Sequence, residues 1–483
     1  MTQNLPPEIQ KQKEELAKKN KEQDKKQEHA LENFRKPELL DLIYGELDKF
    51  HKEDRAEKLF AFLMSRTAFL PNAEDHKSLS LRGESSTGKD NLIKVIEMFS
   101  PPGSCLVLTS ATKATMEDDI ATHKIIAYSE VNKDRENGAN QQLVETIKQL
   151  TEGGIHAIKK DNQTGFRSVK NSIQEQKTVL YATTEERVDK EMDTRFTVVP
   201  IFGHPDKVKI VNDNTLLEGA GKIRQRDPGQ NWLTVGQSYL VNDKDVVFPH
   251  LEKLVPSKNF FDTSNPRSMR DLKRLRALAK AIAWIHQEQR AKVELDGQMY
   301  ILGHPDDFLN ALVLSAQFFN LSYLEIDART LKLLDAIKCQ GDEAIDRETL
   351  QNLTGIRSKN TIDRYARILA DAGLVERTID TTKNNRVVYR GVSSGVKKGV
   401  KWVSRLSGIR DAFADFGFKE WLDKHSSSIL FDTLDRQLTG DLTPYYMPVN
   451  DVGELRVSKI LGDILKISFQ ASVQDFDTLN FDT

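Results

Sequence analysis

Cysteine is nearly absent from this chain, with only Cys105 and Cys339 among 483 residues. Two thiols so far apart are too few for a disulfide framework or a cysteine-ligated zinc site, so both are expected to be buried in a reducing compartment. Long apolar runs are missing too. No stretch approaches the ~20 residues that span a bilayer, and the N-terminus has no signal-peptide core. No membrane association is therefore expected, and the predicted location is cytoplasmic. Nor does charge of one sign dominate: 70 Lys and Arg stand against 72 Asp and Glu, for a net charge of -2. Such a chain does not bind nucleic acid as a polycation; any contact must come from local basic patches. What is present is 38% hydrophobic and 29% charged residues, in a chain long enough for two or three domains with real cores.

Residues 1–36 form a charged tail with few apolar anchors, which reads as a solvated helix or a disordered segment without chemistry. From Pro37 to Phe69 the pattern is amphipathic and predicts two helices. Residues 78–200 then alternate short apolar runs (Ser78–Arg82, Cys105–Leu108, Lys124–Ala127 and Thr178–Ala182) with helical stretches around 89–99, 141–152 and 185–195. That alternation predicts an α/β unit over 37–200 with a parallel sheet. Residues 201–256 have weak periodicity and read as an irregular connector, and 266–322 read as a helical block. Residues 323–392 form a compact unit of their own, and 393–483 an extension of unknown role.

Gly83-Glu84-Ser85-Ser86-Thr87-Gly88-Lys89-Asp90 follows an expected strand and opens an expected helix, with Asn91 next in line. The run fits G-x-x-x-x-G-K, with Asp90 where Ser or Thr normally stands. Glycines let backbone N–H groups converge on phosphate oxygens, and the helix N-terminus adds its dipole. Lys89 is expected to reach the β and γ phosphates of ATP. The strand ending in Tyr128 leads into Ser129-Glu130, a position that resembles a Walker B strand, where Glu130 would polarise the attacking water. The plain alternative for Glu130 is a surface glutamate at a strand end. Two departures form one observation: the loop carries a carboxylate, Asp90, where a hydroxyl is usual, and the strand carries a hydroxyl, Ser129, where a carboxylate is usual. Together they would still leave one carboxylate and one hydroxyl around Mg2+.

With Gly83–Asp90 and Glu130, the runs Leu150-Thr-Glu-Gly-Gly-Ile155, Ala182-Thr183-Thr184, Arg195-Phe196, Arg270-Asp-Leu-Lys-Arg-Leu275 and His286–Arg290 resemble the MCM-like and superfamily-three-like AAA+ helicases of plasmids, phages and integrated elements. The resemblance spans about residues 37–390. It implies an AAA+ P-loop core, a helical lid over 201–322 and a DNA-dependent motor. It also implies that Thr183 or Thr184 senses the γ-phosphate and that Arg195 is an arginine finger reaching a neighbouring subunit. In the lid, Arg267 or Arg270 would be a second sensor, with Lys273, Arg274 and Arg276 crowding the same helix; Arg270 is the candidate carried forward. A finger acting in trans implies a homo-oligomer, by resemblance a hexamer. Such helicases also carry a β-hairpin before the first sensor strand, and Ile155–Lys170 reads as one, with Lys159 and Lys160 near its tip facing single-stranded DNA.

Residues 328–390 read as three helices followed by two strands around a polar loop, the plan of a C-terminal winged-helix domain. Arg357, Lys359, Arg364 and Arg367 would face duplex DNA, with Lys383 and Arg386 on the wing. The expected function is an ATP-dependent DNA helicase in replication of a mobile element, with a primase as a possible partner. Two readings compete with it: an ATP-switched initiator or helicase loader, and a small-molecule kinase, since some P-loop kinases carry Gly-Lys-Asp. The swap itself is testable. Asp90→Ser combined with Ser129→Asp should retain more ATPase activity than either single change, and a double variant no better than the singles would refute it.

Overall fold

The computed structural model describes residues 25–108, 120–131, 138–153, 156–160, 168–172, 175–184, 190–201, 203, 205–222, 231–254, 267–323, 330, 333–334, 336–337, 344–356, 358–371, 375–380, 386–391 and 429–430. Two helices, α1 (Leu39–Phe50) and α2 (Arg55–Ser65), precede the first strand, β1 (Ser78–Arg82). Helix α3 (Lys89–Met98) follows the glycine-rich loop, and then come β2 (Cys105–Leu108), β3 (Ile125–Tyr128) and α4 (Gly138–Glu152). A hairpin pairs β4 (His156–Lys160) with β5 (Ser168–Ser172), antiparallel. The unit closes with β6 (Thr178–Thr183), α5 (Lys190–Arg195) and β7 (Phe196–Pro200). The strands β2-β3-β6-β1-β7 form one all-parallel sheet in that order. Its central strands β1, β3 and β6 are buried along their whole length, as expected of a sheet covered on both faces.

Sequence and structure part in four places. The charged tail is not uniformly solvated: residues 25–34 are helical, and Ala30 and Phe34 are buried, Phe34 edge-on to Trp232 with ring centroids 5.3 Å apart. Residues 1–24 lie outside the described residues. β7 is a fifth strand that follows α5 without a turn. The expected irregular connector contains two helices, α6 (Pro205–Gly219) and α7 (Trp232–Leu240), before the short β8 (Asp245–Val247). The expected helical block is α8 (Arg267–Ile285) and α9 (Pro305–Tyr323) separated by a hairpin of β9 (Lys292–Leu295) and β10 (Gln298–Leu302). Asp296 and Gly297 make that turn with φ of 52° and 76°, the left-handed pair that a two-residue hairpin demands.

Helices α8 and α9 pack on the N-terminal helices through Phe60 stacked on Phe318 (4.2 Å) and Phe69 stacked on Trp284 (5.4 Å). A buried carboxylate, Asp75, accepts from Arg276 (2.8 Å) and Lys280 (2.7 Å) of α8, and Lys280 also reaches Asp245 at 2.9 Å. Further on, β11 (Ile345–Asp346), α10 (Arg347–Thr354), α11 (Lys359–Asp371), β12 (Val375–Asp380) and β13 (Arg386–Gly391) build a separate small unit. Its antiparallel sheet runs β11-β13-β12, and Leu333, Ile337, Leu350, Ile362, Leu369 and Tyr389 share its core. Of the thiols, Cys105 is described. It is half-buried rather than buried, and its desolvation pushes the thiol pKa up to about 12, so it stays protonated. No helix among the described residues is long and apolar enough to cross a membrane.

Arg66 ties this frame together. Its guanidinium is fully buried and donates to Phe62 O (3.4 Å), Ile96 O (3.3 Å), Phe99 O (3.3 Å), Ser100 Oγ (2.8 Å) and Gln237 Oε1 (2.7 Å). These partners are neutral; they lie at the C-terminal ends of α2 and α3 and on α7. Burial lowers its pKa to about 9, which still leaves it charged at neutral pH. Replacing it by alanine strands several buried acceptors, each worth about 1–3 kcal/mol. Arg66→Ala should therefore lower unfolding free energy by on the order of 3 kcal/mol in a denaturant titration, and a change within about 0.5 kcal/mol would contradict its structural role.

Candidate functional site

The site is built at the C-terminal end of β1, where the strand hands over to the loop. Gly83 donates to Thr183 O (3.3 Å) on one side, while Ile201 N–H donates to Arg82 O (2.7 Å) on the other. A Cβ at position 83 would lie 2.0 Å from Ile201 O, so only glycine fits between the neighbouring strands. Further along, Ser86 has φ of 64° and Gly88 has φ of 97°, and Thr87 Oγ1 donates to Glu84 O (3.0 Å), closing the turn. Glu84, Ser85 and Ser86 are exposed at its tip, whereas Thr87 and Lys89 are buried.

Lys89 opens α3 and folds back over the loop, its Nζ donating to Gly83 O (2.9 Å) and Glu84 O (2.5 Å). Burial lowers its pKa; the charges of Asp90 and Glu130 oppose that shift, and Lys207 adds to it. Asp90, Glu130, Lys207 and Glu84 are thus the charges that this ammonium feels. Asp90 is exposed in the first turn of α3, Ser129 is half-buried just past β3, and Glu130 is exposed beside it. Backbone bonds fix this strand end: Ser129 N–H donates to Leu108 O (3.1 Å) and Val131 N–H to Ala182 O (2.9 Å). Thr183 is buried at the end of β6, in register with Arg82 and bonded through its carbonyl to Gly83. Its neighbour Thr184 is exposed. Lys89 at the start of α3, Glu130 just past β3 and Thr183 at the end of β6 thus lie along the same edge of the parallel sheet.

Other expected residues lie elsewhere. Arg195, at the end of α5, donates to Lys148 O (3.1 Å) and is ion-paired with Glu152 (2.6 Å) and Glu191 of its own chain. Arg270 is exposed and donates to Thr194 O (3.4 Å), as does the buried Arg274 (2.9 Å), so these α8 arginines meet α5 beside Arg195. Asn91 is engaged away from the loop, its amide donating to Phe50 O (3.0 Å) and to His51 Nδ1 (3.2 Å). Lys159 and Lys160 occupy the last two positions of β4, in register with Val169 and Ser168 of β5. On α11, Ile362, Tyr365, Ala366 and Leu369 face the core while Lys359, Arg364 and Arg367 are exposed; Ser358 caps the helix through Thr361 N–H (3.3 Å). Arg386 pairs with Asp346 (3.5 Å) and Glu348 (3.6 Å), and Lys359 with Glu348 (3.7 Å). Arg357 and Lys383 lie outside the described residues.

Three residues of the site gave no sequence signal: His51, Asp54 and Lys207. All are buried against the loop, and they come from chain segments about 150 residues apart. No model of a known protein family matches the chain, and no curated protein matches it.

The tight fit at position 83 has a control close by. A Cβ at Gly203 would meet only Thr87 Cγ2, at an ordinary 3.6 Å. Gly83→Ala should cost about 1–3 kcal/mol of stability from overpacking and weaken ATP binding, while Gly203→Ala should leave both within about twofold of wild type. Thermal melts and fluorescent-ATP titrations of the pair check this, and equal effects at the two positions would contradict it.

Proposed function

We propose that this chain is an ATP-driven motor of the AAA+ kind, a DNA helicase acting in replication of a mobile genetic element. The observation that carries the proposal is that the loop opening onto Lys89, the end of β3 with Glu130 and the end of β6 with Thr183 share the C-terminal edge of three neighbouring parallel strands, and that the loop admits only glycine at its first position. Binding of the triphosphate rests on the loop amides and on Lys89, whose ammonium is already held over the loop. Its lowered proton affinity comes from burial, and polyphosphate charge reverses that deficit. Asp90 and Ser129 are the residues to hold Mg2+, which when bound neutralises charge on the β and γ phosphates. Glu130, exposed at its strand end, takes the proton of the attacking water as general base. Thr183 reports the state of the γ-phosphate to β6, which is paired to both β1 and β3.

DNA contact is assigned to two surfaces. The β4–β5 pair carries Lys159 and Lys160 at the end of β4, and lysine ammonium groups suit the phosphates of a single strand. The small C-terminal unit has the winged-helix plan, and the exposed Lys359, Arg364 and Arg367 on one side of α11 suit a duplex backbone. Assembly into a homo-oligomer, by resemblance a hexamer, would bring Arg195 to a neighbouring site once its pairs with Glu152 and Glu191 open. Those same pairs, with Ser129 in place of a carboxylate, favour the second reading: an initiator or loader that uses ATP as a switch.

The deciding measurement is ATP hydrolysis with and without single-stranded DNA. Turnover should rise with DNA and fall by about 10²- to 10⁴-fold in Glu130→Gln, with Lys89→Ala abolishing it. ATP-dependent DNA binding with negligible turnover would replace the motor by the switch.

A further inference from the structure

Behind the phosphate loop lies a closed circuit of hydrogen bonds. Asn91 Nδ2 donates to Phe50 O (3.0 Å) and to His51 Nδ1 (3.2 Å). A carbonyl can only accept, so the Phe50 contact fixes which way the Asn91 amide faces, and Nδ1 of His51 must be the acceptor. The ring proton then sits on Nε2, which donates to Asp54 Oδ2 at 2.7 Å. The same carboxylate oxygen accepts from Lys207 Nζ, and Lys207 Nζ donates to Thr87 O at 2.7 Å. The circuit therefore leaves the loop at Thr87 and rejoins it at Asn91, enclosing Gly88, Lys89 and Asp90. His51, Asp54 and Lys207 are all nearly sealed from solvent, with side-chain exposures of 2%, 4% and 7%.

Building this circuit strains the backbone. Glu53 and Asp54 are consecutive non-glycine residues with positive φ, 60° and 49°. Such a turn is disfavoured for L-residues and persists where the surroundings require it. Here it delivers one carboxylate to both His51 and Lys207.

The bond to Thr87 O has a directional consequence. In a trans peptide the C=O and the following N–H point in opposite directions. With the Thr87 carbonyl held on Lys207, the Gly88 N–H is turned to the opposite side of the loop. Gly88 has φ of 97° and no Cβ, so this peptide has little intrinsic resistance to flipping. A flipped unit would aim a carbonyl oxygen, rather than a donor, at the phosphates.

We propose that Lys207 is a positioning residue for triphosphate binding: held by Asp54, it pins the Thr87 carbonyl outward so that the Gly88 N–H faces the β and γ phosphates. This rests on the nucleotide-binding reading above and adds to it a residue from α6, well outside the loop. Lys207 also places a second positive charge behind the loop, near enough to be felt by Lys89.

The test compares ATP and AMP. Fluorescent analogues of both are titrated into the full chain and into Lys207→Met, Lys207→Arg and Asp54→Asn. Loss of one charge-assisted bond corresponds to about 10- to 100-fold in affinity. Lys207→Met should lose that much for ATP and about threefold or less for AMP, which lacks the β and γ phosphates. Lys207→Arg, which keeps the charge and the donors, should restore most of the ATP preference, and Asp54→Asn should fall between. Nucleotide-free thermal melts identify any variant that fails to fold, and if Lys207→Met is one of them, Asp54→Asn carries the comparison. Equal losses for ATP and AMP, or no loss in a folded variant, overturn the positioning role while leaving nucleotide binding intact. Failure of the wild-type chain to bind ATP overturns the underlying reading as well.

Discussion

A buried guanidinium with no carboxylate partner among the described residues holds the frame of the candidate site in place. Arg66 lies where α2 and α3 end, and the helix carbonyls there carry the negative ends of two macrodipoles. Those partial charges, with Ser100 and Gln237, serve as its counterion. The Phe62 ring, 4.3 Å from the guanidinium carbon, covers one face. Helix α3 begins at the glycine-rich loop and ends on Arg66, so the loop is anchored at the far end of its own helix. Because Gln237 belongs to α7, the same anchor ties the segment after the parallel sheet to the helices before it. A lysine could not substitute: a planar fork with five donors reaches partners in several directions, and an ammonium with three does not.

The site itself follows from how parallel strands end. Residues at the C-terminal edge of such a sheet are placed by strand register, and β6 lies between β1 and β3, within reach of both. Backbone bonds fix Gly83 to Thr183 and Ile201 to Arg82. Side chains then tune what the backbone has set. Lys89 is drawn down over the loop by two carbonyls, and the acidic Asp90 and Glu130 limit what burial does to its charge.

Much of this was legible in the sequence. The limits of β1 and β2 can be read directly from short apolar runs, and the glycine-rich loop from its spacing after one of them. The helix–helix–strand–strand order of residues 347–391 also followed from alternating patterns, whereas the two-residue β11 before it is too short to leave a pattern. What was hidden has physical reasons. β7 follows α5 with no turn residue between, so no punctuation marks its start. Helix α6 exposes almost every side chain, including Leu216 at 72%, and therefore has no apolar stripe to detect. The β9–β10 hairpin carries the expected Asp296-Gly297 signal but lies between two long helical patterns that dominate any window. Most hidden of all were His51, Asp54 and Lys207, ordinary polar residues whose importance exists only once distant segments meet.

Phe34 changes where the folded unit can be said to begin. The composition of the first residues suggests trimming the chain at about position 37, just before the amphipathic pattern starts. Phe34 is fully buried, packs edge-on against Trp232 and fills the space over Gly236, where a Cβ would lie 2.1 Å from its ring. Its carbonyl accepts from Gln289 at 2.8 Å, and Arg35 pairs with Glu288. A shortened protein starting at 37 would lose that plug and open an apolar cavity between α7 and the helices behind it, at a cost of about 3–5 kcal/mol. For crystallisation or limited proteolysis a fragment must therefore keep Phe34, and one starting in the high thirties is a damaged molecule rather than a minimal one.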